Sequence, residues 1–198
     1  MMMELLIACV ASYLIGSIPN GLILGKAIWG VDLRKHGSNN IGATNAWRII
    51  GKKAGVSIFL LDMVKGVIGA GLGIFYVGSP LAGVLCGILA VIGHSWSIFL
   101  GFKGGKSVST GLGVLMMLMP KVAFIVFLVW LAVVFVTQYV SLGSIIGAAL
   151  VPVLAYIFSM PMEYFVFGVL AAVFIIYRHK ANIDRLLHGR ENKIKSAR

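Results

Sequence analysis

Apolar residues fall into seven runs separated by short polar stretches: Glu4 to Trp29, Ala54 to Val77, Leu81 to Leu100, Val108 to Met119, Val122 to Thr137, Leu142 to Phe158 and Tyr164 to Tyr177. The first of them is long enough to span a membrane and further apolar runs follow it, so the pattern predicts membrane helices. The expected fold is therefore an all-α integral membrane protein. The count turns on Pro120-Lys121. A chain that turns there has seven helices, and one that runs straight through has six. The run from Val108 to Met119 reaches only about 18 Å, against a hydrocarbon core of about 30 Å. Its start should lie below the membrane surface, and the glycine-rich stretch Gly101 to Ser107 before it should be tucked into the bundle.

Charge decides between the two counts. Lys26, Arg34, Lys35, Arg48, Lys52 and Lys53 follow the first run, Lys103 and Lys106 the third, and Arg178, Lys180, Arg185, Arg190, Lys193, Lys195 and Arg198 the last. The positive-inside rule places all three groups in the cytoplasm, which requires an odd number of crossings. The expectation is seven transmembrane helices, N-terminus outside and C-terminus cytoplasmic. They form one polytopic domain over 1–198, with polar segments 31–53, 101–113, 138–144 and 178–191 on the cytoplasmic side. Composition agrees with a membrane class: 60% of the 198 residues are hydrophobic and mean hydropathy is +1.00, against roughly 45–50% apolar in soluble domains. The first run is followed by further spans, so it reads as a membrane helix and not as a cleaved signal peptide. Cys9 and Cys86 sit inside apolar runs and suggest neither a disulfide framework nor a metal site. A net charge of +11 in such a chain points to cytoplasmic loops near anionic lipid or to anionic substrates. No basic segment interleaved with aromatics argues for nucleic acid, and no carboxylate cluster argues for a metal. Pairs such as Gly69/Gly73 and Gly83/Gly87 read as helix-packing signals.

The densest polar stretch is Gly101 to Gly113, GFKGGKSVSTGLG, where Lys103 and Lys106 flank Gly104-Gly105. Apolar residues resume after Ser107, which makes Ser107 a candidate helix cap. A helix start offers N–H groups and a positive dipole end, and glycines admit an anion to the backbone. Gly105-Lys106-Ser107 reproduces the end of a P-loop, but Leu100 stands where its first glycine belongs and a helical run precedes it in place of a strand. The anion-capture mechanism therefore survives without the nucleotide. Asp62 and Lys65 share a face of the second helix, as a structural ion pair or with Lys65 as a substrate ligand. If the last helix continues past Tyr177, His179 and Asn182 project together toward the cytoplasmic mouth, where a histidine can move a proton and an asparagine can orient a carbonyl. Between the first two helices, Ser38, Asn39, Asn40, Thr44 and Asn45 lead to Arg48 in a polar connection longer than a turn needs.

The wording GSNNIGATNAWR, GKKAG, LLDMVKG, FKGGKSVSTGLG and RHKANIDRLLHGRE resembles the PlsY-type acyl-phosphate:glycerol-3-phosphate acyltransferases of bacterial membranes, over almost the whole chain. Departures are local: Asn39 where that family reads GSGN, Ser107 and Ser109 where it reads FKGGKGVAT, and Lys180 and Ala181 where it reads HRENI. The last removes a carboxylate beside His179. The resemblance implies a multi-pass enzyme of the bacterial inner membrane with its active site facing the cytoplasm and no cofactor or metal. The implied reaction moves a fatty acyl group from acyl phosphate to the 1-hydroxyl of glycerol 3-phosphate, giving lysophosphatidic acid and phosphate. Both substrates carry a phosphate, which Lys103, Gly104, Gly105, Lys106, Ser107, Asn45 and Arg48 would bind. Ser38, Ser144, His179 and Asn182 would surround the reacting carbonyl, and the acyl tail would lie in an apolar groove open to membrane lipid. Ser144 joins them because the fifth-to-sixth connection is cytoplasmic in the seven-helix arrangement. Glu191 is expected to hold the tail in place. No H-x-x-x-x-D motif occurs, since His94 is followed by Phe99 at the acid's position, so the base is His179 or the donor's own phosphate. A transporter of an organic phosphate is the alternative, disfavoured by the lack of an internal repeat and of polar groups in the outer halves. A monomer is the working expectation.

Overall fold

The structure is a computed structural model that describes residues 2–194. Lys195 and Arg198, counted above in the last basic group, lie outside the described residues. Among the described residues all regular structure is helical: α1 (Met2–Ser17), α2 (Asn20–Trp29), α3 (Ala43–Ile49), α4 (Lys52–Gly71), α5 (Pro80–Ser95), α6 (Val108–Leu118), α7 (Pro120–Thr137), α8 (Val140–Ile157), α9 (Met162–Arg178) and α10 (Lys180–Leu187), with single turns between some of them. Five helices among the described residues are long and apolar enough to cross a membrane, taking α1 and α2 as one span, and a sixth is added if α9 and α10 count as a single bent one. Helix α6 covers eleven residues, too few to span alone. A break does fall at the Pro120 junction, because α6 ends at Leu118 and proline opens α7, the position where its missing N–H is harmless.

Packing follows the small residues. Helix α1 lies against α5, α4 against α5 and α6, and α8 against both α7 and α9. The α4/α6 crossing is the tightest: a Cβ on Gly66 would stand 2.0 Å from the Thr110 carbonyl oxygen, and one on Gly113 would stand 1.9 Å from that of Met63. Only glycine admits backbones that close. The core runs through Ala70, Val91, Val114, Val122, Val151 and Phe167. A smaller cluster of Leu33, Ala46, Ala54 and Ile58 seats the first polar loop on α4.

Pro19 has no N–H and breaks the first span between α1 and α2. The carbonyls freed there are taken by buried donors: Ser97 Oγ donates to Ser17 O at 2.5 Å and Lys65 Nζ to Ile18 O at 3.0 Å. Lys65 also pairs with Asp62 at 3.0 Å, and Asn20 at the start of α2 donates to the same carboxylate oxygen at 3.1 Å. The Asp62–Lys65 pair thus closes a helix break, which accounts for two charges inside a span.

Candidate active site

The Gly101–Ser107 loop returns to the end of α5. Gly104 N–H donates to Ser95 O and Gly105 N–H to His94 O, both at 3.0 Å. These two donors, expected to cradle an anion, are therefore used to tie the loop down. The glycines serve contact: a Cβ on Gly104 would lie 2.1 Å from His94 O, and one on Gly105 would lie 2.1 Å from His94 Nε2. Ser107 stands at the N-cap position of α6 as expected, but it does not cap with its side chain. It takes a left-handed conformation (φ 59°). Its hydroxyl donates to Val91 O at 2.7 Å and lies 2.7 Å from Ser95 Oγ. The loop is pinned from below and presents Lys106, while Lys103 stands exposed on its rim.

Helix α9 extends only one residue past Tyr177. It ends at Arg178, and the chain bends by 60° at His179 into α10. The bend brings three polar groups to the Gly101–Ser107 loop and the tail, two of them buried. Arg178 donates to Gly105 O at 2.7 Å and lies over the Trp96 ring, 5.8 Å from its centroid. His179 is buried, with Nδ1 2.8 Å from Ile175 O. A carbonyl only accepts, so Nδ1 carries the proton and Nε2 the lone pair. Asn182 is buried between opposite charges: its Oδ1 accepts from the Lys106 ammonium, and its Nδ2 donates to Glu191 Oε1 at 2.9 Å.

Glu191 is the carboxylate that answers these cations. It also accepts from Ser141 Oγ at 3.1 Å and from Arg185 Nε at 2.7 Å. The tail is tied as expected, since Arg48 donates to Asn192 O at 2.5 Å and Ile194 N–H to Gln138 O at 2.8 Å. Glu191 does more than that, because it fixes which way the Asn182 amide faces. Burial pushes the Glu191 carboxyl up, but the hydrogen bonds from Asn182, Arg185 and Ser141 outweigh it and hold it below the usual range. Lys106 is pulled down to about 8 by burial first, with Arg185, Arg178 and Arg48 adding to the fall and Glu191 opposing it. Burial likewise lowers Arg48, which stays cationic. The Nε groups of Arg48 and Arg178 are buried without a hydrogen-bond partner. Excess cations and unspent guanidinium donors give the cluster the chemistry to take an anion.

The other expected residues lie apart from this cluster. Asn45 is committed to its own loop: Nδ2 donates to the carbonyls of Leu33, His36 and Asn40, and Oδ1 accepts from Ser38 N–H at 3.0 Å. It shapes the segment that brings in Arg48. Ser38 is exposed on that segment. Ser144 donates to Val140 O one turn earlier on its own helix, at 2.9 Å. It lines a narrow apolar cleft of about 50 Å³ with Phe59, Val108, Trp130 and Ile175. Ser141, on the same helix face, joins the polar cluster in its place.

Arg178, Ser141 and His94 were not singled out from sequence as members of a site. Arg178 carried only a topological signal, and Ser141 and His94 gained meaning once the loop and tail had folded onto them.

The glycerol-3-phosphate acyltransferase family model matches residues 6–189. A glycerol-3-phosphate acyltransferase of Syntrophomonas wolfei is 46% identical over 96% of this chain and 95% of its own length. One from Carboxydothermus hydrogenoformans is 43% identical over 96% of each. A crystal structure of PlsY, an integral membrane glycerol 3-phosphate acyltransferase, in its glycerol 3-phosphate form superposes with a TM-score of 0.90 at 41% identity. That match covers 96% of this chain and 94% of PlsY. With family model, relatives and fold in agreement over nearly its whole length, the chain belongs to the glycerol-3-phosphate acyltransferase family.

Proposed function

We propose that this acyltransferase takes its acyl group from acyl phosphate and forms lysophosphatidic acid, using the cluster of Lys106, Arg178, His179, Asn182 and Arg48. The observation that carries the reading is the junction of that cluster with the apolar cleft. Ile175 lines the cleft and its carbonyl holds the His179 ring, so an acyl chain in the cleft would end with its carbonyl at the cations. The 1-hydroxyl oxygen attacks the acyl carbon, the bond from that carbon to the phosphate oxygen breaks, and inorganic phosphate leaves. The hydroxyl proton passes to His179 Nε2 or to the phosphate itself. Asn182 Nδ2 is a donor to the developing oxyanion once it releases Glu191. Lys106, Arg48 and Arg178 offset the phosphate charges, with Lys103 at the entrance. Gly104, Gly105, Ser107 and Asn45 contribute by shaping the two loops, and Ser38 and Ser144 border the site. A glycerol 3-phosphate form and a lysophosphatidic acid form of PlsY are both known, which supports that acceptor and product here.

The donor is tested with purified protein and glycerol 3-phosphate. Acyl phosphate is expected to support ester formation and acyl-CoA is not, because the cluster offers phosphate ligands but no surface for a nucleotide. Comparable rates with acyl-CoA would remove the donor assignment and leave the acyltransferase standing.

The proposed arrangement has seven crossings with the short α6 among them, N-terminus outside, in the bacterial inner membrane with the site facing the cytoplasm. Support comes from the basic groups near Arg34, Lys106 and Arg185, which this arrangement brings to one side. Single cysteines test it. Gly37, Gly78 and Gly189 all have positive φ, so the neighbours Lys35, Ser79 and His188 are the better positions. Cysteines at 35 and 188 should react only with a cytoplasmic reagent and one at 79 only from outside. Labelling of position 35 from outside overturns the orientation.

A further inference from the structure

Beside the site, and unused by the chemistry proposed for it, lies the buried side chain of His94. Its neighbours account for themselves, since Lys65 and Asn20 close the Pro19 break through Asp62. His94 is 5% exposed, and its Nδ1 has no hydrogen-bond partner. That nitrogen lies 3.8 Å from Asp62 Oδ1, long for a hydrogen bond but close enough for the carboxylate to orient the ring's N–H. The opposite edge of the ring presses on the loop, because Nε2 occupies the space that a Cβ of residue 105 would need. An apolar side chain would fill this volume at less cost than a buried ring nitrogen left unpaired.

We propose that His94, oriented by Asp62, is a positioning residue for the phosphate-binding turn Gly104–Lys106. The ring sets the height of the Gly105 backbone from beneath. The Gly105 carbonyl takes the Arg178 guanidinium at 2.7 Å and the Ser95 hydroxyl at 3.2 Å, and the next residue is Lys106. A shift of Gly105 therefore moves two phosphate ligands together. The inference rests on the reading of Lys106 and Arg178 as phosphate ligands.

The experiment measures KM for glycerol 3-phosphate and kcat at saturating acyl phosphate, with gel filtration and thermal unfolding in detergent for every variant. His94→Phe fills the space and removes the polar edge. It is expected to raise KM about tenfold while kcat stays within about threefold, the pattern of lost binding common to ground and transition states. His94→Gln, which keeps a donor for Asp62, should recover most of that loss. A wild-type KM in His94→Phe, or a fall confined to kcat, overturns the proposal. Should His94→Phe fail to fold, the decision passes to a cycle between His94→Ala and Gly105→Ala. The methyl at 105 collides with the ring, so removing the ring should relieve it, leaving KM in the double variant at least about fivefold below the product of the single effects. If Gly105→Ala alone does not fold, recovery of folded protein in the double variant is the expected result. Additive effects, or no recovery, overturn the inference. Lys106→Ala in the same assay separates the two readings: an unchanged KM there removes the phosphate assignment, whereas a raised KM there with an unaffected His94→Phe removes the positioning role alone.

Discussion

Lys106→Ala is expected to lower kcat/KM for glycerol 3-phosphate by roughly 10² to 10³-fold, the effect of losing a partly buried cation from a charged contact, about 3 to 4 kcal/mol. Two features raise the cost above that of a surface lysine. Lys106 donates to Asn182 and follows the Gly105 carbonyl that Arg178 holds, and its removal leaves the Asn182 oxygen without its donor. Its lowered pKa of about 8 adds a pH signature. The ammonium is charged below that value and neutral above it, so kcat/KM should fall as pH rises through about 8. The substrate phosphate is already a dianion there, with its second ionisation near 6. Lys106→Arg keeps its charge at any accessible pH, so its profile should stay flat through the same range, at reduced rate because the planar fork does not fit the ammonium's place. Profiles of kcat/KM for both proteins at fixed ionic strength check this. A limb near 8 that persists in Lys106→Arg would assign the titration to another group.

Asn182→Ala and His179→Ala should each lower kcat by roughly 10² to 10⁴-fold, as when an oxyanion donor or an acid–base group is lost. For Asn182 the loss has a second source. The amide separates the Lys106 ammonium from the Glu191 carboxylate, and without it these two charges can close on each other and withdraw the lysine from substrate. Glu191→Gln should then reproduce part of the loss by letting the Asn182 amide turn over. For His179 the discriminating variant is His179→Gln. If the Nε2 lone pair takes the hydroxyl proton, the acid limb of the wild-type profile disappears in that variant. If the limb survives, the phosphate of the donor is the base, and His179 acts by positioning. A kcat for Asn182→Ala within a few fold of wild type would remove Asn182 from the reaction.

The polar segments that form the candidate site were legible because polar residues are costly in a membrane chain, so those retained there stand out against an apolar background. Lys106, Arg48, His179 and Asn182 could be named on that ground, and Glu191, Lys106, Asn182, Ser141 and Arg185, which bond to one another, all come from those segments. What could not be read was which polar group faces which. Ser107 looked like a cap because serine commonly caps, yet its hydroxyl is used by Val91 O and Ser95. The Gly104 and Gly105 amides looked like anion donors because glycine-rich helix starts often are. They bond instead to carbonyls nine and eleven residues earlier. Ser144 and Ser141 lie one turn apart, and only the fold of the tail decides that Ser141 meets Glu191.

Sequence by itself determined the membrane class, the helical runs and the family wording, because hydropathy, backbone satisfaction in lipid and local motif spacing act within one segment. The Pro120 break and the glycine contacts belong to the same level, since proline and glycine act on the backbone they occupy. Only the tertiary structure decided the 60° bend at His179, the use of Asp62 and Lys65 to close the Pro19 break, and the place of Glu191 between Asn182, Ser141 and Arg185. The last two depend on partners six to fifty residues away. A buried charge or amide takes whichever partner the packing of helices brings within about 3 Å, and that choice is made by the bundle as a whole.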